Sequence, residues 1–318
     1  MALARTAALF LRTLANDYQQ RLRADCTTTC SRFGFSLDVF SADNNAEQQL
    51  RQIQQFLKKP QSGPAAILVS PVRENDLLAT GYEVARKGWA WVILNRASAY
   101  LRELRAEFPS SLVFSVNSDQ YEIGSIQGRQ FKLILPKGGE LFYLRGPMTA
   151  SSAQRRLLGV EQELADTSIN IVTFSADWSG EAAEKATRDW LRILRHPEPS
   201  CLIGAQNDDM AMGARRGLMN EAVSQNRPEL RHIRVTGCDG SPTFGQRWVA
   251  EGALLATVVV PSVAGTAIEE IASSLDGGCR PPVEVTVRSS SYPELDVLTR
   301  SLGQGSAEPR RSIWPKVR

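Results

Sequence analysis

The sequence CLIGAQNDDMAMGARRGL, Cys201–Leu218, contains the transition that decides the fold. Its apolar run Cys201–Ala205 predicts a buried parallel strand, and the polar residues that follow predict the start of a helix. α/β sheets bind ligands at such junctions, because the carboxyl ends of the strands line a crevice there. Asn207 or Asp208 could instead simply cap the helix, and taken alone these residues favour the cap.

The composition is typical of a globular protein with room for two domains. The chain has 318 residues and a net charge of +3, which argues weakly against a dedicated nucleic-acid binder. Five cysteines give no disulfide framework, and Cys26 and Cys30 lie one helical turn apart, a poor geometry for a bridge. The histidines, His196 and His232, are distant in sequence from this pair and there is no C-x-x-C pair, so we expect no metal and no cofactor.

No part of the sequence approaches the roughly 20 consecutive apolar residues that a transmembrane helix needs. At the amino terminus, MALARTAALFLRTLAN has an apolar centre that Arg12 interrupts before it reaches the about 7–15 residues of a signal peptide. We therefore predict a strand here, and we expect that the leader of a secreted protein would already have been removed.

Strand and helix signals alternate along the chain, which predicts an α/β protein with parallel sheets buried on both faces. The predicted strands are Ala7–Thr13, Ser36–Ser41, Ala65–Ser70, Trp89–Leu94, Leu112–Val116, Glu140–Leu144, Ile169–Ser175, Cys201–Ala205, Ile233–Cys238, Leu254–Val260 and Val283–Val287. The predicted helices are Asp17–Arg32, Ala46–Lys58, Glu74–Lys87, Tyr121–Leu135, Ser152–Ala165, Glu181–Leu194, one beginning near Asp208, and Val263–Leu275. So many strands indicate two sheets. The segment 97–110 is less regular, and the pattern fades after Ser289.

Enzyme motifs are absent from the sequence. It contains neither G-x-G-x-x-G nor G-x-x-x-x-G-K-[ST], and no G-x-S-x-G nucleophile elbow. Two histidines in ordinary polar settings offer little choice of base for a catalytic triad. An enzyme is therefore the less favoured interpretation.

Polar or aromatic residues recur just after the predicted strands. They are Asn16, Asn95, Arg96, Trp178, Asn207 and Asp239, with Arg156 one turn into a helix that follows a strand and loop. Each has a structural alternative, such as a helix cap, a solvated loop charge, a covering aromatic or a turn residue. Singly these alternatives are favoured, but carboxyl ends of parallel strands would bring the whole set to one crevice.

Seven motifs resemble those of the type I periplasmic binding proteins, especially the ribose-binding proteins and their sugar-binding relatives. In order they are NDYQQRLRADCTTTCSRFGFSL, NNAEQQLRQIQQFL, VILNRAS, SSAQRRLLGV, SADWSG, AQNDDMAMGARRGL and VTGCDGSP. The resemblance extends over residues 7 to about 290. The ligand domains of lac-repressor-like regulators share this fold.

The resemblance implies two Rossmann-like lobes joined by three hinge segments. The lobes would comprise 1–117 with 261–284 and 118–260 with 285–298, followed by a tail, 299–318. They would close over a sugar or polyol. It also implies a periplasmic location and presentation of the solute to an ABC transporter permease or a sensor.

The resemblance further implies which residues bind the solute. Tyr18 and Trp178 would stack on the sugar ring, and the hydrogen-bonding positions are Asn16, Arg96, Arg156, Asn207 and Asp239. Gln19 and Asn95 also occupy ligand positions, but the ribose binders have phenylalanine and aspartate there.

Two further departures affect the expected pocket. Cys238 replaces an aromatic residue, and the expected glutamine is absent around Val259 and Val260. With Asn95 in place of an acid, Arg96 and Arg156 shift the pocket toward positive charge. This leads to the hypothesis that the ligand is an acidic or phosphorylated sugar, because guanidinium pairs with carboxylate or phosphate.

The alternative function is the effector domain of a lac-repressor-type regulator. Such a regulator carries a helix-turn-helix before the first strand, whereas about six residues precede it here. We therefore expect no nucleic-acid partner, an expectation that depends on an untrimmed amino terminus.

Overall fold

The computed structural model describes residues 5–15, 17–60, 63, 65–73, 77–96, 98–193 and 200–303. It divides the chain into two compact units. The first contains the chain up to Ser118 together with Pro261–Val287, and the second contains Asp119–Val260 and the chain from Arg288 onward. The backbone therefore passes from one unit to the other three times.

The first unit contains a six-stranded sheet in which every neighbouring pair of strands is parallel. The strands are β1 (Arg5–Leu11), β2 (Phe35–Ser41), β3 (Ala65–Val69), β4 (Ala90–Leu94), β5 (Val113–Ser118) and β11 (Glu284–Val287), in the order β11-β5-β4-β3-β1-β2. The helices are α1 (Asp17–Arg32), α2 (Ala46–Leu57), α3 (Leu78–Arg86), α4 (Tyr100–Glu107) and α10 (Val263–Leu275).

Helices cover both faces of this sheet. Leu9 of β1 packs in a core with Leu22 of α1 and Ile268 of α10. The next residue, Phe10, packs on the other face with Phe56 of α2. Alternate residues of one strand thus enter two different cores, which explains why the strands are apolar along their whole length.

The second unit contains a four-stranded parallel sheet and a small antiparallel pair. Its strands are β6 (Gly139–Arg145), β7 (Ile169–Ser175), β8 (Cys201–Ala205) and β9 (Arg234–Thr236), in the order β7-β6-β8-β9, with β10 (Thr257–Val259) paired to β12 (Ser290–Tyr292). Its helices are α5 (Gln120–Ile134), α6 (Ser151–Leu164), α7 (Gly180–Ile193), α8 (Asp208–Ser224), α9 (Gly245–Ala250) and α11 (Leu295–Gly303), with a 3-10 turn at Pro228–His232.

This unit also has one core on each face of its sheet. Leu144 of β6 packs with residues of α7 and α8, and Tyr143 packs on the opposite face with Phe131 of α5 and Val160 of α6. The predicted α/β class with parallel sheets is confirmed. Among the described helices, none is both long and apolar enough to cross a membrane.

Three elements lie where the sequence showed no clear pattern. The less regular segment 97–110 contains α4, whose Leu101 and Leu104 are buried. After Ser289, where the pattern fades, the structure has β12 and α11, and Leu298 of α11 is fully buried in a core of the second unit. The later part of the tail, 304–318, lies outside the described residues.

Candidate ligand-binding site

The carboxyl ends of the strands in the first unit meet at one edge of its sheet, because the strands are parallel. Four of the predicted ligand-binding residues lie at or beside this edge: Tyr18, Gln19, Asn95 and Arg96. Asn16 lies outside the described residues.

Tyr18 and Asn95 are joined by a hydrogen bond. The Tyr18 hydroxyl, near the start of α1, donates to Asn95 Oδ1 over 2.7 Å. Asn95 directly follows β4 and has a left-handed backbone, with φ of 62°. Its Nδ2 is buried and has no hydrogen-bond partner in the part of the chain that the structure describes. The amide therefore offers a free donor at this edge.

Gln19 is buried and contacts the neighbouring strand end. Its Nε2 donates to Ser70 Oγ over 3.3 Å, just after β3. Gln49 holds the same turn, since its Nε2 donates to the Ser70 carbonyl and its Oε1 accepts from the Val72 amide. The end of β3 is thus fixed by two glutamines from different helices.

Arg12 is a residue of this edge that sequence reasoning missed. It directly follows β1, and its Nε donates to the neutral Asn44 Oδ1 over 3.3 Å. Burial and, to a smaller extent, the positive charge of Arg96 lower the pKa of Arg12. Two arginines therefore lie near each other at the carboxyl ends of β1 and β4. The sequence signal is an arginine that ends an apolar strand, in LFLR.

In the second unit, Asn207 begins helix α8. Its Oδ1 accepts a hydrogen bond from the Met210 amide over 2.7 Å, which confirms the helix-cap interpretation. The side-chain nitrogen of Asn207 also makes a hydrogen bond: Nδ2 donates to the Trp178 carbonyl over 3.1 Å. Asn207 therefore couples the start of α8 to the loop that carries Trp178.

Trp178 lies in the loop after β7, in a left-handed conformation with φ of 62°. Its half-buried indole packs directly on the backbone of Gly146, where an added Cβ would lie 2.1 Å from ring atom Cε2. The Arg156 guanidinium carbon lies 5.6 Å from the ring centroid, within the range of a cation–π contact.

Arg156 is 7% exposed and held at several points. Its Nε donates to Gln120 Oε1 over 2.8 Å, and its Nη1 donates to the Gln206 carbonyl and lies 3.5 Å from Cys238 Sγ. Its helix approaches α5 closely, since a Cβ on Gly124 would lie 2.0 Å from the Arg156 carbonyl oxygen. Contacts within the protein therefore fix the position of the Arg156 guanidinium.

Asp239 is positioned by its neighbours in the loop after β9. Its backbone has φ of 102°, and its amide donates to the Val258 carbonyl over 2.9 Å. The preceding residue, Cys238, is fully buried, and burial raises the pKa of its thiol to about 12, against the effect of the adjacent Arg156 charge. The buried Cys238 thiol is therefore uncharged at physiological pH.

Asp208 has a structural role that sequence reasoning missed. Its buried carboxylate accepts from the Gly240 amide through Oδ2 and from the Thr257 hydroxyl through Oδ1, each over 2.7 Å. It thereby ties the start of α8 to the loop that carries Asp239 and to β10. From the sequence, Asp208 was considered only as a possible helix cap.

Arg145 is another residue that sequence reasoning missed. It is the last residue of β6, and it is 8% exposed. Its Nε is buried without a hydrogen-bond partner among the described residues. The sequence signal is the same as for Arg12, an arginine that ends an apolar strand, in LFYLR.

The described residues include no group of three or more histidine, cysteine or acidic side chains that could hold a metal ion. Within each unit, the structure brings the predicted residues together: Tyr18 with Asn95, and Trp178 with Arg156 and Asn207. What each edge provides is aromatic surface, amide groups and guanidinium groups, which are suited to binding a polar solute.

The family model for the periplasmic binding protein domain matches residues 7–277. The chain therefore belongs to the type I periplasmic binding protein family, a family of solute-binding proteins rather than enzymes. The ribose import binding protein of Salmonella typhimurium is 25% identical over 273 residues, which cover 85% of this chain and 84% of that relative. These findings confirm the resemblance and favour a binding protein over the regulator alternative.

Solved structures share the fold. An ABC transporter periplasmic solute-binding protein from Actinobacillus succinogenes, with bound D-allose, has a TM-score of 0.76 at 21% identity and covers 93% of this chain and 99% of its own. An ABC transporter solute-binding protein from Bacillus halodurans, with bound myo-inositol, has a TM-score of 0.73 at 18% identity and covers 96% and 99%.

Proposed function

We propose that this protein is a solute receptor that captures a sugar or a related polyol in the periplasm and presents it to an ABC transporter permease or a sensor. Family membership supports the class of protein. The names of similar proteins mention ribose, D-allose and myo-inositol, which are all polyhydroxylated solutes of similar size.

The observation that carries this proposal is the contact of Trp178 with Arg156. A sugar has apolar faces and a rim of hydroxyl groups, so its recognition needs a flat aromatic surface next to fixed hydrogen-bonding groups. Trp178 supplies the surface. Arg156 supplies a planar donor that its contacts with Gln120 and Gln206 already orient.

We propose that the first unit contributes through Tyr18, Asn95 and Arg96, and that the two units act as lobes. The three passages of the backbone, after Ser118, Val260 and Val287, would serve as hinge segments. Closure about such segments is a known way to bury a ligand. In this mechanism the closed form is the signal that the membrane partner recognises.

The test begins with a thermal-shift screen of the purified protein against sugars, polyols and sugar acids, because a ligand that binds only the native state raises the melting temperature. Isothermal titration calorimetry then measures each hit, and small-angle X-ray scattering measures the change in radius of gyration. We expect saturable binding of one solute without turnover, and a smaller radius on binding. Conversion of the solute to product, or no saturable binding across the panel, would contradict the proposal.

A further inference from the structure

Arg145 carries a buried charge that the described part of the protein does not neutralise. The residue is 8% exposed at the carboxyl end of β6. In the described ranges, its buried Nε has no hydrogen-bond partner and its side chain makes no ion pair. Buried guanidinium groups are ordinarily paired, because removing a charge from water without a partner is costly. The buried Nε–H of Arg145 is therefore a donor that an acceptor on a bound molecule could satisfy.

Two polar groups at this edge of the second unit are neutral or already hydrogen-bonded. Tyr143, two residues earlier on the same strand, donates its hydroxyl to Gln127 Oε1 over 2.6 Å. Burial raises the pKa of Tyr143, although the charges of Arg156 and Arg145 act against this, so the phenol stays neutral. Asp208, the buried carboxylate of this edge, already uses both oxygens for Gly240 and Thr257.

A second guanidinium lies nearby and adds to the positive charge. Both Arg145 and Arg156 are close enough to Tyr143 to affect its pKa. Arg156 directs Nε and Nη1 at neutral oxygen acceptors, Gln120 and the Gln206 carbonyl. The edge of the second unit thus holds two buried arginines. An anionic group of a bound solute would be attracted by both positive charges.

We infer that the solute carries an anionic group, a carboxylate or a phosphate, and that the guanidinium of Arg145 binds it. The planar fork of arginine matches the paired oxygens of either group. Trp178 and Asn207 are left to recognise the hydroxylated part of the same molecule. This inference rests on the proposed function, since it names the chemical class of the solute for the same site.

The test compares each acid with its neutral parent by calorimetry on the full chain. The probes are D-galacturonate against D-galactose, D-glucuronate against D-glucose, and D-ribose 5-phosphate against D-ribose. We expect one acid to bind about tenfold or more tightly than its parent, because hydrogen bonds to charged groups are worth that much. Preference within the uronate pairs identifies a carboxylate, and preference for ribose 5-phosphate identifies a phosphate.

Three variants locate the effect. Arg145→Gln should lose about tenfold or more of the affinity for the acid and leave the affinity for the neutral parent within about threefold. Arg145→Lys should recover part of the loss, because it restores the charge without the planar fork. Arg155→Gln is the matched control on the exposed face of α6, where its side chain is 62% exposed. It should change neither affinity.

Each outcome bears on a different conclusion. Saturable binding of neutral sugars alone would overturn the inference and leave the proposed function standing. An acid preference that survives Arg145→Gln would also overturn it. If that variant does not fold, the salt dependence of the wild-type protein decides, since affinity for an acid must fall with added NaCl while affinity for its parent does not. Binding of neither class, together with no saturable binding across the wider panel of sugars, polyols and sugar acids, would overturn both proposals.

Discussion

Gly146 and the indole of Trp178 are in direct contact, with no room for a side chain on the glycine. A Cβ built on Gly146 would lie 2.1 Å from Cε2 and 2.2 Å from Cζ2 of the ring. Gly146 directly follows β6, so the strand end itself supports the aromatic surface. The orientation of the indole therefore depends on a residue that has no side chain.

Gly146→Ala should displace the Trp178 ring and weaken binding of the solute by about 1 kcal/mol, the usual worth of an aromatic contact. Calorimetry measures the affinity, and tryptophan fluorescence reports the altered environment of the ring. Gly303→Ala is the control, because a Cβ there meets no atom within 4 Å. Equal affinity in the two variants would show that the position of the indole does not matter for binding.

Trp178→Ala should weaken binding by about 1 kcal/mol or more, since it removes the stacking surface altogether. Phe174→Ala is a matched aromatic deletion on β7, where the side chain of Phe174 is 47% exposed. Titration calorimetry should show reduced affinity in the first variant only. If Trp178→Ala binds as tightly as the wild type, the solute does not contact this ring.

Arg156→Lys should weaken solute binding, because a point charge cannot replace the planar fork that Gln120 and Gln206 orient. The hydrogen bonds lost should also lower the free energy of unfolding by about 1–3 kcal/mol. Urea denaturation and calorimetry measure the two effects. Arg155→Lys, at the preceding and largely exposed residue of α6, should be neutral in both experiments. Unchanged affinity in Arg156→Lys would remove this arginine from the site.

Asp208→Asn should lower the free energy of unfolding by about 1–3 kcal/mol, because an amide cannot accept from both Gly240 and Thr257 as the carboxylate does. Chemical denaturation followed by circular dichroism measures the loss. Glu251→Gln, at an exposed position in the same unit, serves as the control. A stability equal to that of the wild type would show that the carboxylate does not hold the Asp239 loop.

The thiols should differ sharply in reactivity. Of the five cysteines, all within the described ranges, Cys279 is exposed and the other four are buried. For Cys238, burial also raises the pKa to about 12, so at pH 8 the thiol form prevails and alkylation is slow. Mass spectrometry after brief treatment of the native protein with N-ethylmaleimide should find one adduct, on Cys279. Rapid modification of Cys238 would contradict its burial.

Strongly patterned elements could be predicted from the sequence, because their own residues specify them. Helix α1 occupies Asp17–Arg32 as predicted, and Asn207 caps α8 through the side chain that suggested the cap. Helix α4 was not predicted, since Ala99 at its N-cap makes no side-chain bond and gives no capping signal. Helix α11 was not predicted either, because the burial of Leu298 depends on distant residues of its core.

The candidate site could be predicted only as a set of positions. The sequence indicates that polar residues follow the strands, and parallel pairing brings them to common edges. It does not specify the contact of Asn207 with the Trp178 carbonyl, which depends on a left-handed backbone at Trp178. Nor does it reveal that Arg145 lacks a partner, because pairing is a property of the folded neighbourhood.

Each unit is formed by two separate segments of the chain, which affects how the protein folds during translation. Strand β11 completes the edge of one sheet, and Leu298 fills a core of the other unit, so both units need residues beyond 283. On the ribosome, therefore, neither unit can complete its native core until almost all the described residues have been made. The nascent polypeptide stays accessible to chaperones for nearly the whole of translation, whereas a protein whose domains follow one another would release its first domain early.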